Sequence, residues 1–213
     1  KAANLAVSET EEEFDALEKD SKIKAKVIVL PNGSKIYALP GNGGIAKVHI
    51  DDFKYEIYPT SDASIWEINC FEGMLYCGTV DGHILKIDKY IMQIVKDAEV
   101  SKKNIKSICK DENKLYAASQ DMKLYVLDFD TLDVLAVKRN VHKYMYYVAG
   151  ITDHCIVTVS HPASEISILD KETLETIRAI REPLRLSGPV KLEGDILYYA
   201  SRNFNGIKMM KIE

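Results

Sequence analysis

Apolar and polar residues alternate along this chain in short runs, and small polar turn pairs break the runs every few positions. Period-two alternation bounded by Asn-Gly, Asp-Gly and Glu-Gly predicts antiparallel hairpins. Five consecutive segments share one plan: an apolar strand, a tight turn, a second strand opening on Ile/Leu-Tyr or a close variant, another turn, and a third strand closing on an acid. The second strands are Ile36–Leu39, Leu75–Thr79, Leu115–Ser119, Ile156–Ser160 and Leu197–Ser201. The third strands are Ile45–Asp51, Ile84–Asp88, Leu124–Asp128, Ile166–Asp170 and Ile207–Glu213. Tyr37, Tyr76, Tyr116, Val157 and Tyr198 recur at steps of 39, 40, 41 and 41 residues, and the closing acids at 37, 40, 42 and 43. After each closing acid but the last comes a more polar fourth strand: Tyr55–Tyr58, Ile91–Val95, Val134–Val137 and Thr176–Ile180.

Four strands every ~40 residues predict the blades of an all-β propeller, four-stranded and antiparallel, about five of them in this chain. An ordinary β-sandwich with evenly spaced strands is the competing architecture. A single sheet of this kind has two apolar faces and can bury neither alone, so neighbouring sheets must cover each other. The fifth repeat has only three strands. Asn4–Val7 is a candidate for its fourth, closing the ring; further blades upstream, or a second chain, are the alternatives. Ser8 through Ser21 carries two overlapping capping-box spacings and crowds acids into its first turn, which predicts a short helix. The expected division is therefore residues 1–25 as an N-terminal strand and helix segment, for ring closure or as a linker, and 26–213 as propeller repeats.

Composition narrows the function. With 28 basic against 32 acidic residues, a net charge of −4 and interspersed signs, no basic stripe for nucleic acid is present. No apolar run approaches the roughly 20 residues of a membrane span, so membrane insertion is not expected. The N-terminal stretch is acidic and polar, unlike a secretory leader. Cys70, Cys77, Cys109 and Cys155 lack CxxC spacing and read as free thiols of a reducing compartment, which points to a cytoplasmic or nuclear location.

From Lys26 onward the blade grammar resembles that of WD-repeat propellers. Cys77-Gly-Thr-Val-Asp81-Gly-His-Ile-Leu-Lys-Ile-Asp88 and Ala118-Ser-Gln-Asp121-Met-Lys-Leu-Tyr-Val-Leu-Asp128 look like the family's Ser/Thr-x-Asp turn and closing strand. The closing dipeptides carry Ile or Leu where Trp is typical, and the last has Glu for Asp. No Gly-His pair precedes each blade, so the family's buried His–Ser/Thr–Asp–Trp relay is expected to be missing. Cys77 through Asp88 is also similar to one quinoprotein-type blade, but no calcium-binding carboxylate group is recognisable. The resemblance implies a divergent member of the architecture whose partners meet the loops between blades and the turns between second and third strands. Those positions here are Asn42, Asp62, Ser64, Asp81, Lys103, Gln120, Tyr144, His161, Arg185, Arg202 and Phe204.

No phosphate loop, GxSxG elbow or HExxH helix is present. Gly41-Asn42-Gly43-Gly44 is not followed by a helix and reads as a blade turn. Asp51-Asp52 and Asp128-Phe-Asp130 sit at equivalent blade ends and read as repeated turns. No enzyme activity, cofactor or metal is therefore expected. Tyr, Trp and Arg dominate interface hot spots, which selects Tyr144, Arg202, Phe204, Trp66, Tyr146, His161, Asp81 and Gln120 as candidate protein-binding residues. The expectation is a non-catalytic scaffold or adaptor that presents a loop face to a protein or peptide partner within a larger complex. A small hydrolase or lyase, or a ligand-binding propeller, with its site at the central axis is the alternative. An upstream domain, or self-association through the incomplete last blade, completes the expected partners.

Overall fold

The computed structural model describes residues 27–29, 35–39, 44–49, 52, 54–60, 63–182, 186–201 and 206–212. Among them the chain is all-β: four four-stranded antiparallel sheets and one three-stranded sheet, each a meander with its strands in chain order. The first sheet holds β1 (Val27–Val29), β2 (Lys35–Leu39), β3 (Gly44–Val48) and β4 (Tyr55–Pro59). The second holds β5 (Ile65–Phe71), β6 (Met74–Thr79), β7 (His83–Asp88) and β8 (Gln93–Glu99). The third holds β9 (Ile105–Asp111), β10 (Lys114–Ser119), β11 (Leu124–Asp128) and β12 (Val134–Lys138). In the fourth are β13 (Tyr147–Ile151), β14 (Cys155–Ser160), β15 (Glu165–Asp170) and β16 (Thr176–Arg181), and in the fifth β17 (Leu186–Glu193), β18 (Ile196–Ser201) and β19 (Lys208–Lys211).

The sequence repeat is also a repeat of register. Opposite Tyr37, Tyr76, Tyr116, Val157 and Tyr198 on the third strands lie Ala46, Lys86, Val126, Ile168 and Met209, at steps of 40, 40, 42 and 41 residues. Burial is graded across the second, third and fourth sheets. Second and third strands are almost wholly buried, as in β6, β10, β14, β11 and β15. Fourth strands are exposed, most completely β8 and β16. First strands of successive sheets neighbour one another, β1 with β5, β5 with β9, β9 with β13 and β13 with β17. Apolar clusters fill the seams between adjacent sheets: Tyr76 and Ile84 of the second sheet pack with Ile105, Leu115 and Leu127 of the third. This succession is compatible with propeller-like blades. Among the described residues no strand pairing joins β17 back to β1, and β19 has a partner on one side only.

The closing acids have a physical reason to recur. The Oδ1 atoms of Asp88, Asp128 and Asp170 each accept two backbone N–H groups of the turn that follows. Four residues on, Met92, Leu132 and Leu174 adopt positive φ of 55°, 58° and 59°, and their amides donate to the carbonyls of the same three aspartates. Each of these apolar residues is buried and plugs the sheet end. Because Asp88–Met92 is spent on this turn, the fourth strand of the second sheet begins at Gln93 and not at Ile91 as the pattern suggested.

There is no helix among the described residues, and the helix expected over Ser8–Ser21 and the closing strand at Asn4–Val7 lie outside them. The four cysteines are free thiols; Cys70 faces Leu75 and Cys77 faces Ile68.

Candidate functional site

Antiparallel meanders place the turns between second and third strands, and the loops between sheets, at one end of the strands. A polar residue that has just left a fourth strand is buried there before the second, third, fourth and fifth sheets: Thr60, Ser101, His142 and Glu182, spaced 41, 41 and 40 residues apart. From Ser101 on, the backbone at this point is held by the preceding sheet. Val100 N and Ser101 N donate to Gly82 O at 3.1 and 3.0 Å, Val141 N to Met122 O at 3.4 Å, and Glu182 N to Ser164 O at 2.8 Å. All three acceptors have positive φ, which turns their carbonyls toward the loop.

The side chains reach the other way, into the next sheet. Ser101 Oγ lies 2.9 Å from Ser119 Oγ, whose neighbour Asp121 accepts from Tyr125 Oη and Lys123 Nζ at 2.6 Å each. His142 Nε2 lies 2.9 Å from Thr158 Oγ1, and its Nδ1 lies 2.8 Å from Glu165 Oε1. Glu182 accepts from Tyr199 Oη at 2.8 Å and from Lys208 Nζ at 2.5 Å. Burial opposes ionisation of Glu182, but the Lys208 and Tyr199 bonds outweigh it and hold the carboxyl below its ordinary range. None of these three seams carries the complete His–Ser/Thr–Asp–Trp set, but each has a buried polar network of its own in that place. A relay joins each of these sheets to the next, with a different donor–acceptor set at each seam.

Exposed apolar side chains decorate the same end. Trp66 is 55% exposed, Tyr144 47%, Met145 40% and Val80 38%. Trp66 occupies a bulge of β5 between Ile65 and Glu67, and Lys106 Nζ of the next sheet sits 3.5 Å from its ring centroid. Asp81 and Gln120 are exposed in the turns of the second and third sheets. His161 is half-buried; its ring stacks on Tyr147 with centroids 5.5 Å apart, and Tyr147 Oη also accepts from Val190 N of the fifth sheet. Tyr146 does not belong to the surface. It is 2% exposed and packs in the core seam between the third and fourth sheets, 5.1 Å from the His142 ring. Arg202 and Phe204 lie outside the described residues, as do Asn42, Asp62 and Arg185.

The first strands of the second, third and fourth sheets line an open groove of about 550 Å³, with Glu67, Asn69, Lys106, Lys110, Tyr147 and Ile151 among its walls. Side chains stitch these strands: Asn69 Nδ2 donates to Ile108 O at 2.9 Å, and Ser107 Oγ accepts from Val148 N at 2.8 Å. Among the described residues no group of three or more His, Cys, Asp or Glu side chains could hold a metal ion.

No family model matches the chain, and no curated protein matches it either. Solved structures do. The computationally designed Ika8 protein (crystal packing No.1 in P63) superposes with a TM-score of 0.71 at 13% identity, covering 90% of this chain and 59% of that one. A chain of a Mitotic Checkpoint Complex superposes at 0.70 and 9% identity, covering 87% and 59%. This chain therefore spans 59% of the length of either structure. At such identities the likeness is one of fold. With 1381 solved chains matching, the fold alone selects no single activity.

Proposed function

We propose that the chain is a divergent β-propeller interaction module, WD-repeat-like, that presents its loop end to a protein or peptide partner in a larger assembly and carries out no catalysis. One observation carries this reading: Trp66, Val80, Tyr144 and Met145 stand exposed at the sheet end whose backbone is pinned seam by seam by the relays of Ser101, His142 and Glu182. A rigid platform of this kind loses little conformational entropy on binding, and exposed aromatic anchors supply most of the contact energy. The fold likeness to a chain of a Mitotic Checkpoint Complex is compatible with such a role. Trp66, turned outward at the β5 bulge and with Lys106 against its ring, fits a contact residue.

The test is affinity capture with the intact protein beside Trp66→Ala, Tyr144→Ala and, as a control on an outer strand, Val95→Ala. Each protein is first shown to be folded by its thermal transition. Loss of the same specific partner with the first two and its retention with the third is the expected result. Equal recovery from all four would refute the proposed face.

A further inference from the structure

We infer that the groove between the first strands takes an extended acidic peptide segment, one carboxylate side chain docking on Lys106 and an apolar neighbour covering Trp66; this rests on the interaction-module reading above. Lys106 is half-buried in β9 and lines the groove, and its ammonium meets the Trp66 ring but no described carboxylate within ion-pairing distance. Four residues along the same strand, Lys110 is neutralised by Glu72 at 2.8 Å. A cation drawn out of water with only an aromatic face for company is poorly compensated, because a cation–π contact replaces part of its hydration and no anion replaces the rest. Consistently, burial pulls the Lys106 ammonium below its ordinary range. An incoming carboxylate restores the missing charge in a partly desolvated setting, where such a hydrogen bond is stronger than in water.

Shape and charge together favour a peptide over a polyanion. The groove runs along β5, β9 and β13 from Lys106 and Tyr147 to Phe71, Asp111 and Ile151. Five residues of strand give it a length of roughly 16 Å at about 3.3 Å per residue, the span of four to five extended residues. Beyond Lys106 its wall is apolar at Ala149 and Ile151, and Lys110 is already paired. Of the two lysines along it, Lys110 is paired with Glu72, and Asp111 is itself paired with Lys171 at 2.7 Å, so Lys106 offers a place for one negative charge and the groove offers none for the several of a polyanion. One anionic side chain flanked by apolar ones, with free backbone N–H groups, matches this lining.

Selection from a display library of random ten-residue peptides against the full chain tests the inference, followed by titration of Trp66, the one tryptophan of the sequence, by its fluorescence. Selected peptides are expected to carry a central Glu or Asp beside an apolar residue. Replacing that acid by Gln should weaken binding on the order of tenfold, as should Lys106→Gln, while Lys106→Arg should retain it and Lys106→Glu should favour Lys in place of the acid. Inorganic phosphate and free glutamate at the same concentrations should leave the fluorescence unchanged. Peptides that bind with no acidic preference and ignore the Lys106 substitutions would overturn the acidic-segment inference and leave the interaction-module reading standing. A fluorescence response to phosphate equal to that of the peptide would assign the groove to a small anion instead. Failure of the intact chain to retain any peptide would overturn the groove inference, while the affinity capture described above decides the interaction-module reading separately.

Discussion

His142 Nε2 and Thr158 Oγ1 meet at 2.9 Å across the seam between the third and fourth sheets, and the same imidazole holds Glu165 through Nδ1 at 2.8 Å. Its side chain is fully buried and the Thr158 bond forms away from water, while Glu165 stays partly exposed. Replacing it by Ala leaves Thr158 with only its bond to Ser167 O and opens a void beside Tyr146. His142→Ala should destabilise the fold by about 2–3 kcal/mol, read as a lower urea midpoint at unchanged slope. The same residue makes stability depend on pH. Burial lowers its pKa, only partly offset by the Glu165 bond and charge. The unfolded chain then takes up its proton near pH 6.5, the folded chain only at lower pH, so acid favours unfolding between the two values. The stability contributed by neutral His142 is complete above about pH 6.5 and declines as the pH falls toward the lower folded value. Urea midpoints of the wild type and His142→Gln, measured from pH 8 to pH 5, should converge on acidification. A constant gap would show that the imidazole does not titrate differently on folding.

Gly82 is required by its neighbour. A Cβ built there would lie 2.2 Å from Ser101 O, and the residue has a φ of 100°. Its own carbonyl accepts the amides of Val100 and Ser101, so the turn cannot shift without undoing the seam. Gly82→Ala should cost about 3 kcal/mol or more, from backbone strain plus two lost hydrogen bonds. Gly73 is the control: its φ is 83°, but a Cβ placed there would meet nothing within 4 Å, and Gly73→Asn should cost no more than about 1 kcal/mol. Equal losses at the two sites, by thermal or urea unfolding, would show that the Ser101 contact relaxes freely.

The repeat was legible because strand register and turn chemistry both have short periods that a sequence exposes directly. Tyr76 and Tyr116 recur because one position in each second strand faces the seam, and both are fully buried there. The relay was not legible, because Ser101, His142 and Glu182 share a place and not an identity. Only the spacing of a buried polar residue repeats, and burial is what a sequence does not display. Residue type alone selects Trp66; what turns it outward is the bulge between Ile65 and Glu67, which inserts it as an extra residue. Tyr146, selected on the same ground, is buried. A loop run of Tyr144-Met145-Tyr146-Tyr147 has no period to assign faces, and Tyr146 is the ring that folds beneath His142.

Two buried hydroxyls lack partners among the described residues, Tyr116 Oη and Tyr146 Oη. Burial pushes the Tyr116 phenol up to about 12 and the Tyr146 phenol higher still, so both remain neutral. Removing an unsatisfied buried hydroxyl removes a desolvation penalty while the ring keeps its packing. Tyr116→Phe and Tyr146→Phe should each be neutral or stabilising, by up to about 1 kcal/mol. Tyr76→Phe offers the contrast, since Tyr76 Oη donates to Phe129 O at 3.3 Å and its loss should destabilise modestly. A marked loss of stability in Tyr146→Phe, measured by urea unfolding, would reveal an ordered water bonded to that hydroxyl.

The turn acids set the behaviour of the fold in acid. Asp128 Oδ1 accepts from Thr131 N at 2.8 Å and Asp130 N at 2.9 Å, and Asp170 Oδ1 accepts from Thr173 N at 2.7 Å and Glu172 N at 3.0 Å. These amide bonds, led by those of Thr131 and Thr173, hold both carboxyls below the ordinary range. A carboxyl that ionises more readily when folded stabilises the fold above its unfolded pKa of about 3.9, and that stabilisation is lost as the pH falls through the lower folded value. Asparagine at either site still offers an oxygen to the same amides but carries no charge to titrate. Asp128→Asn/Asp170→Asn should therefore be less stable than the wild type at pH 7, and the two should draw together as the pH falls below about 4, where the wild-type acids protonate. Thermal unfolding followed from pH 7 to pH 2.5 measures this directly. If the difference between the two proteins stayed the same across that range, the ionised turn acids would contribute nothing to stability.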